Sequence, residues 1–123
     1  SFMKSLIITG SILAALSVLI GAFGAHGLKY RLSTEYLTIF ETAVRYLMYH
    51  AIGLFMLGVS GFHLPENLIV LPAYFLISGI LIFSVSLIIL VLTDLKWIGA
   101  ITPIGGLCLI IGWLLFAYNV YSR

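Results

Sequence analysis

The sequence predicts an all-α, polytopic membrane protein: an up-down bundle of four transmembrane helices, with an interfacial segment between the first and second. Three observations predict it. Hydrophobic residues make up 63% of the 123 residues and charged ones only 8%, against about 25% charged in a soluble domain, so the chain lacks the polar surface to face water all round. Mean hydropathy is +1.23. Four separate apolar stretches reach the ~20 residues that a helix rising ~1.5 Å per residue needs to cross ~30 Å of hydrocarbon. The connections between the second and third stretches (HLPEN) and the third and fourth (TDLKW) are too short for anything but antiparallel neighbours.

The spans run from about residue 5 to 25, 42 to 62, 69 to 92 and 98 to 120, in one domain covering 1–123. The first apolar segment reads as a span and not a cleaved leader, because it is long and no polar region follows it directly. Behind it, KYRLSTEYLTIFE holds Lys29, Arg31, Glu35 and Glu41. Ser33 and Thr34 before Glu35 resemble a helix start, where an acid favours the dipole, so this segment merges into the second span. Pro65 sits in a polar connection where its missing N–H does no harm. Thr102-Pro103 offers an N-cap with proline at the first helical position; a longer fourth helix from Trp97, kinked at Pro103, is the alternative. Lys29, Arg31 and Lys96 lie at one end and Lys4 and Arg123 at the other. The positive-inside bias places those loops in the cytoplasm and both termini outside.

Small residues recur on helix faces. On the first span Gly10, Ala14, Ser17, Gly21 and Gly24 follow one another at spacings of four and three, one narrow face at about 100° per residue. Such faces let membrane helices approach without a hydrophobic force between them. The second span carries Ala43, Tyr46, His50, Gly53, Leu57 and Gly61; the third is thinner, with Gly79 and Ser86; the fourth offers Gly105, Gly106, Cys108 and Gly112. In GAFGAHGL (residues 21–28), Gly21 and Gly24 therefore belong to a packing face, and Gly27 is expected to end the helix in a left-handed cap. No strand precedes these glycines, so they are not a dinucleotide fingerprint.

The polar residues that an apolar span does not need are His26, Glu41, Arg45, Tyr46, Tyr49 and His50. They form the candidate polar or ligand site, since intramembrane ionisable groups pair or face a cavity. Glu41 and Arg45 are spaced for an i,i+4 ion pair, with a lipid-headgroup contact through Arg45 as its rival. His50 lies about 13 Å further along the helix than Glu41, near mid-membrane, and reads either as a hydrogen-bonded core histidine or as a proton-carrying group. Trp97, Tyr118 and Tyr121 read as interfacial anchors, and Trp113 as packed inside the bundle.

Other chemistries fit poorly. Six Lys/Arg against four Asp/Glu leave no nucleic-acid footprint. His26, His50 and His63 have no paired metal-ligand spacing, and no serine–histidine–acid set can be assembled at one depth. Neither a metal nor another cofactor is implied, and the single Cys108 excludes an internal disulfide.

Taken together, GAFGAHGL at 21–28, ETAVRYLMYHAIGL at 41–54 and ITPIGGLCLIIGW at 101–113 resemble the small bacterial membrane-protein family typified by YgdD and YwdK, a domain of unknown function with distant eukaryotic relatives. The likeness covers nearly the whole chain and implies a four-span inner-membrane protein of this length. The motif positions carried over are Gly21, Gly24, His26 and Gly27; Ala43, Tyr46 and His50; and Thr102, Pro103, Gly105, Gly106 and Trp113. The family often reads FSGSLY in its third span, where this chain has FSVSLI at 83–88.

The expected function is that of a non-enzymatic membrane protein acting by packing, as an envelope stabiliser or an accessory subunit of a larger complex. Membrane lipids, a homo-oligomeric copy or other subunits are the expected partners. The alternatives are a small oligomeric transporter or channel lined by Glu41, Tyr46 and His50, and a lipid-handling protein or enzyme in which His26, Glu41, Arg45 and His50 converge.

Overall fold

The computed structural model describes residues 1–123 as four long helices: α1 (Phe2–Phe23), α2 (Thr34–Ser60), α3 (Val70–Thr93) and α4 (Thr102–Tyr121). All four are long and apolar enough to cross a membrane. Alpha-helical hydrogen bonding satisfies the backbone inside each segment, which hydrocarbon demands. α1 continues through one π-helical stretch, Gly24–Leu28, before the chain turns into α2. Single 3-10 stretches, Glu66–Leu68 and Lys96–Ala100, lead into α3 and α4.

Two antiparallel hairpins, α1 with α2 and α3 with α4, are joined along α2 and α3. The central pair, α2 and α3, is the more buried, while α1 and α4 leave most of their residues uncovered. A core of Leu6, Leu47, Leu54, Leu57, Ile69, Leu76 and Leu109 runs through the middle.

The hairpin seams are built from absent side chains. A methyl placed on Gly10 would lie 2.5 Å from the Ala51 carbonyl oxygen and 2.7 Å from the Phe55 nitrogen, and one on Gly58 would lie 2.8 Å from the Met3 carbonyl oxygen. Further along the same seam, Ser17 Oγ donates to the Val44 carbonyl at 3.0 Å. In the second hairpin, a methyl on Gly105 would lie 2.8 Å from both the Ile82 carbonyl carbon and the Phe83 Cα. Backbones this close gain dispersion contacts that larger residues would prevent, which is how helices adhere in lipid.

Three polar contacts fix the hairpins to each other or within themselves. Ser86 Oγ and Thr102 Oγ1 share a buried hydrogen bond of 2.6 Å. Asn119 Nδ2 donates to the Leu68 carbonyl at 3.0 Å. At the other end, the Tyr36 hydroxyl donates to the Asp94 carboxylate, tying the start of α2 to the end of α3.

Two local expectations are corrected. Gly27 is no left-handed cap, because no glycine has positive φ; the helix instead widens into its π turn. The left-handed residue is Asp94, φ 57°, which caps α3 and sends its amide to the Leu90 carbonyl, a conformation that aspartate tolerates better than most. Thr102 is the first residue of α4 and not its N-cap. Ile101 occupies the cap and has no side-chain acceptor to offer, while the Thr102 hydroxyl is engaged with Ser86. Pro103 falls in the first turn, so the longer helix kinked at Pro103 is not formed.

Candidate functional site

The six candidate polar residues fall into two groups and one outlier. Tyr46, Tyr49 and His50 stand on one side of α2. Tyr46 packs against Phe83 of α3 with ring centres 5.2 Å apart, and Tyr49 and His50 flank it at 5.7 and 6.2 Å. His50 reaches the Trp113 ring of α4 at 5.9 Å, and the same indole covers Gly53, where a methyl would lie 2.8 Å from it. The imidazole is 6% exposed. Its Nδ1 lies 2.7 Å from the Tyr46 carbonyl, an acceptor, so Nδ1 carries the proton and donates. His50 is thus bonded within its own helix and wedged among aromatic rings. Trp113 closes this cluster from α4 while keeping 40% of its surface exposed, so it borders the bundle instead of filling it.

His50→Ala is expected to lower stability by about 1–3 kcal/mol, since it removes both the bond and the aromatic packing. His26→Ala is expected to stay within about 0.5 kcal/mol, because His26 is exposed on the π turn. Thermal unfolding of both variants in the same detergent checks the ranking.

Glu41 and Arg45 face elsewhere. With Gly21, Gly24 and Ala25 of the first helical segment, Lys29 of the turn that follows, and Leu37, Phe40 and Val44 of α2, they line a cleft of about 560 Å³. The expected Glu41–Arg45 ion pair is not formed: no nitrogen–oxygen approach within 4.0 Å joins them. Both side chains are exposed on the surface of the bundle. Gly21 and Gly24 form the α1 side of the cleft, close against α2. Gly24 is pressed against the Phe40 ring, and a methyl on Gly21 would come 3.2 Å from Val44 Cγ1. On the far side of Phe40 lies a second, wholly apolar groove of about 400 Å³, bounded by Leu19, Phe23, Ile88 and Leu92 among others.

Of His26, Glu41, Arg45 and His50, only Glu41 and Arg45 line this cleft. No group of three or more His, Cys, Asp or Glu side chains is placed to hold a metal ion. The remaining small residues differ in how tightly they are held. Gly112 faces Leu76, with a methyl reaching 2.9 Å, whereas one on Gly106 would make only ordinary contact with Phe83 at 3.6 Å. Ala14 is half-buried. Sequence reasoning missed Tyr36, Asp94 and Asn119 as tertiary partners; their signal is only that each is a polar residue at a helix end, which many unpartnered residues share. The two departures in the 83–88 segment fall on Val85, which is exposed, and on Ile88 of the apolar groove. Ser84 and Ser86 stay buried.

Comparison with known proteins places this architecture. The profile of the family described as Protein of unknown function (DUF423) matches residues 20–106. A UPF0382 membrane protein of Staphylococcus haemolyticus is 44% identical over 120 residues, 98% of each chain. The UPF0382 membrane protein YwdK of Bacillus subtilis is 43% identical over 114 residues, 92% of this chain and 93% of its own. A UPF0382 membrane protein of Staphylococcus aureus strain USA300 is 46% identical over 120 residues, 98% of each. No solved structure matches. With four apolar helices and relatives alike from end to end, the chain belongs to the DUF423 (UPF0382) family of membrane proteins.

Proposed function

We propose that the protein is a non-enzymatic accessory subunit of the bacterial cytoplasmic membrane, acting by helix packing against another membrane-embedded protein. One observation carries this reading. α1 has two small-residue stripes and uses only one of them. Gly10, Ser17, Gly21 and Gly24 face α2, while Ser11, Ala15 and Ala22, spaced at four and seven on another face, are all exposed, with the bulkier Val18 exposed between them. The Ser11 hydroxyl is turned back onto the Ile7 carbonyl at 2.8 Å, so this face is short and needs no further polar partner. A second close-approach face suits a helix from outside the chain, since small residues let backbones meet in lipid.

The placement of His50 weighs against the transporter reading. Its ring is held by Tyr46 and Trp113, and the cleft with charged side chains opens beside Glu41 and Arg45 instead. In this reading the α1–α2 and α3–α4 connections, with Lys29, Arg31 and Lys96, face the cytoplasm.

Native mass spectrometry after gentle extraction from the protein's own membrane tests the proposal. The expected result is a second protein, or a further copy of this chain, retained at fixed stoichiometry. A single chain carrying only lipid would oppose it.

A further inference from the structure

The cleft beside the π-helical stretch combines features that helix packing does not call for. Its floor is Gly21, Gly24 and Ala25, and its rim carries Lys29, Arg45 and Glu41. The apolar run at 42–62 is long enough to fill the hydrocarbon layer by itself. That puts Glu41 at the boundary and Arg45 about one turn beneath it, with a stem long enough to reach back up. An arginine at that depth is costly without a partner, and Glu41 does not close on it.

The same face of α2 continues below Arg45 through Met48, Ile52 and Phe55, at spacings of three, four and three. Ile52 and Phe55 are exposed. A charged opening at the membrane boundary thus sits directly above an apolar track. Lys29 and Arg45 against Glu41 leave one net positive charge, which a single phosphodiester neutralises. A headgroup with an ammonium of its own would leave that charge in excess. A volume of about 560 Å³ falls within the range of small-molecule sites.

We propose that this cleft binds the headgroup of an anionic phospholipid. Arg45 and Lys29 hold the phosphate, and one acyl chain runs down α2 over Met48, Ile52 and Phe55. Guanidinium suits this task because its fork of donors matches phosphate oxygens. The site is independent of the subunit contact proposed above, since it is assembled by α1 and α2 of one chain.

The test is retention of lipid by the purified full-length protein in detergent, after exposure to mixed micelles containing phosphatidylglycerol or phosphatidylcholine, read by native mass spectrometry. The expected result is one phosphatidylglycerol held in preference to phosphatidylcholine. Arg45→Gln and Lys29→Gln each lower that retention, Arg45→Gln by about tenfold, in line with one lost charge-assisted hydrogen bond. Arg31→Gln, at the same end but outside the cleft, leaves it unchanged. Lys29 lies beyond the core of the bundle, so Lys29→Gln reports even if Arg45→Gln fails to fold. Equal retention of the two lipids by the wild type, or equal loss in Lys29→Gln and Arg31→Gln, overturns the proposal. Complete displacement of the lipid by excess inorganic phosphate, with phosphate itself retained, overturns the lipid as occupant in favour of a free anion.

Discussion

Gly10→Ala is expected to cost more stability than any other single-methyl addition on α1. The reason is what the methyl meets. At Gly10 it meets backbone of α2, 2.5 Å from the Ala51 carbonyl oxygen and 2.7 Å from the Phe55 nitrogen, and backbone cannot rotate aside. At Gly21 the neighbour is Val44 Cγ1 at 3.2 Å, a side-chain tip that can yield. Forcing extra volume into a close-packed contact costs about 1–3 kcal/mol, against which the helix-propensity gain of alanine over glycine is about 1 kcal/mol at most. The balance is negative at Gly10 and near zero at Gly21. Gly10→Leu is expected to separate the hairpin outright. Unfolding temperature in detergent checks the order, and equal values for Gly10→Ala and Gly21→Ala would refute it.

Adjacent glycines on α4 give the second large contrast. A methyl at Gly105 is driven into the α3 backbone around Ile82 and Phe83, while at Gly106 it finds Phe83 ring atoms at 3.6 and 3.7 Å. Gly105→Ala is therefore expected to destabilise by about 1–3 kcal/mol through overpacking. Gly106→Ala is expected to be neutral or to stabilise by up to about 1 kcal/mol, through alanine's helix preference. The two positions share composition, depth and helix, so only the packing direction separates them. Paired thermal unfolding of the two variants reads the difference, and the opposite order would mean that α4 is rotated about its axis.

The repeat of small residues at four and three was visible in the sequence because a helix converts that spacing into one face. Apolar length likewise exposes a span, because hydrocarbon thickness is a fixed ruler. What the sequence did not disclose depends on a partner distant along the chain. Tyr36 meets Asp94, 58 residues away, and Thr102 is drawn from capping its own helix to Ser86. Gly27 looked like a left-handed cap because glycine often is one. Its segment stays right-handed, as the π turn carries the helix on to Leu28. Within the candidate site, spacing put Glu41 and Arg45 on one face, and only the tertiary fold added Lys29 and the glycine floor beside them.

The central claim is that α1 meets another protein through its outward small-residue stripe. Photo-activated cross-linking in living cells, from a reactive side chain placed at Ala15 or Ala22 and compared with one at exposed Leu81 of α3, tests it most directly. The account predicts a discrete protein adduct of constant size from both α1 positions and none from Leu81. Lipid adducts alone from all three positions would contradict it.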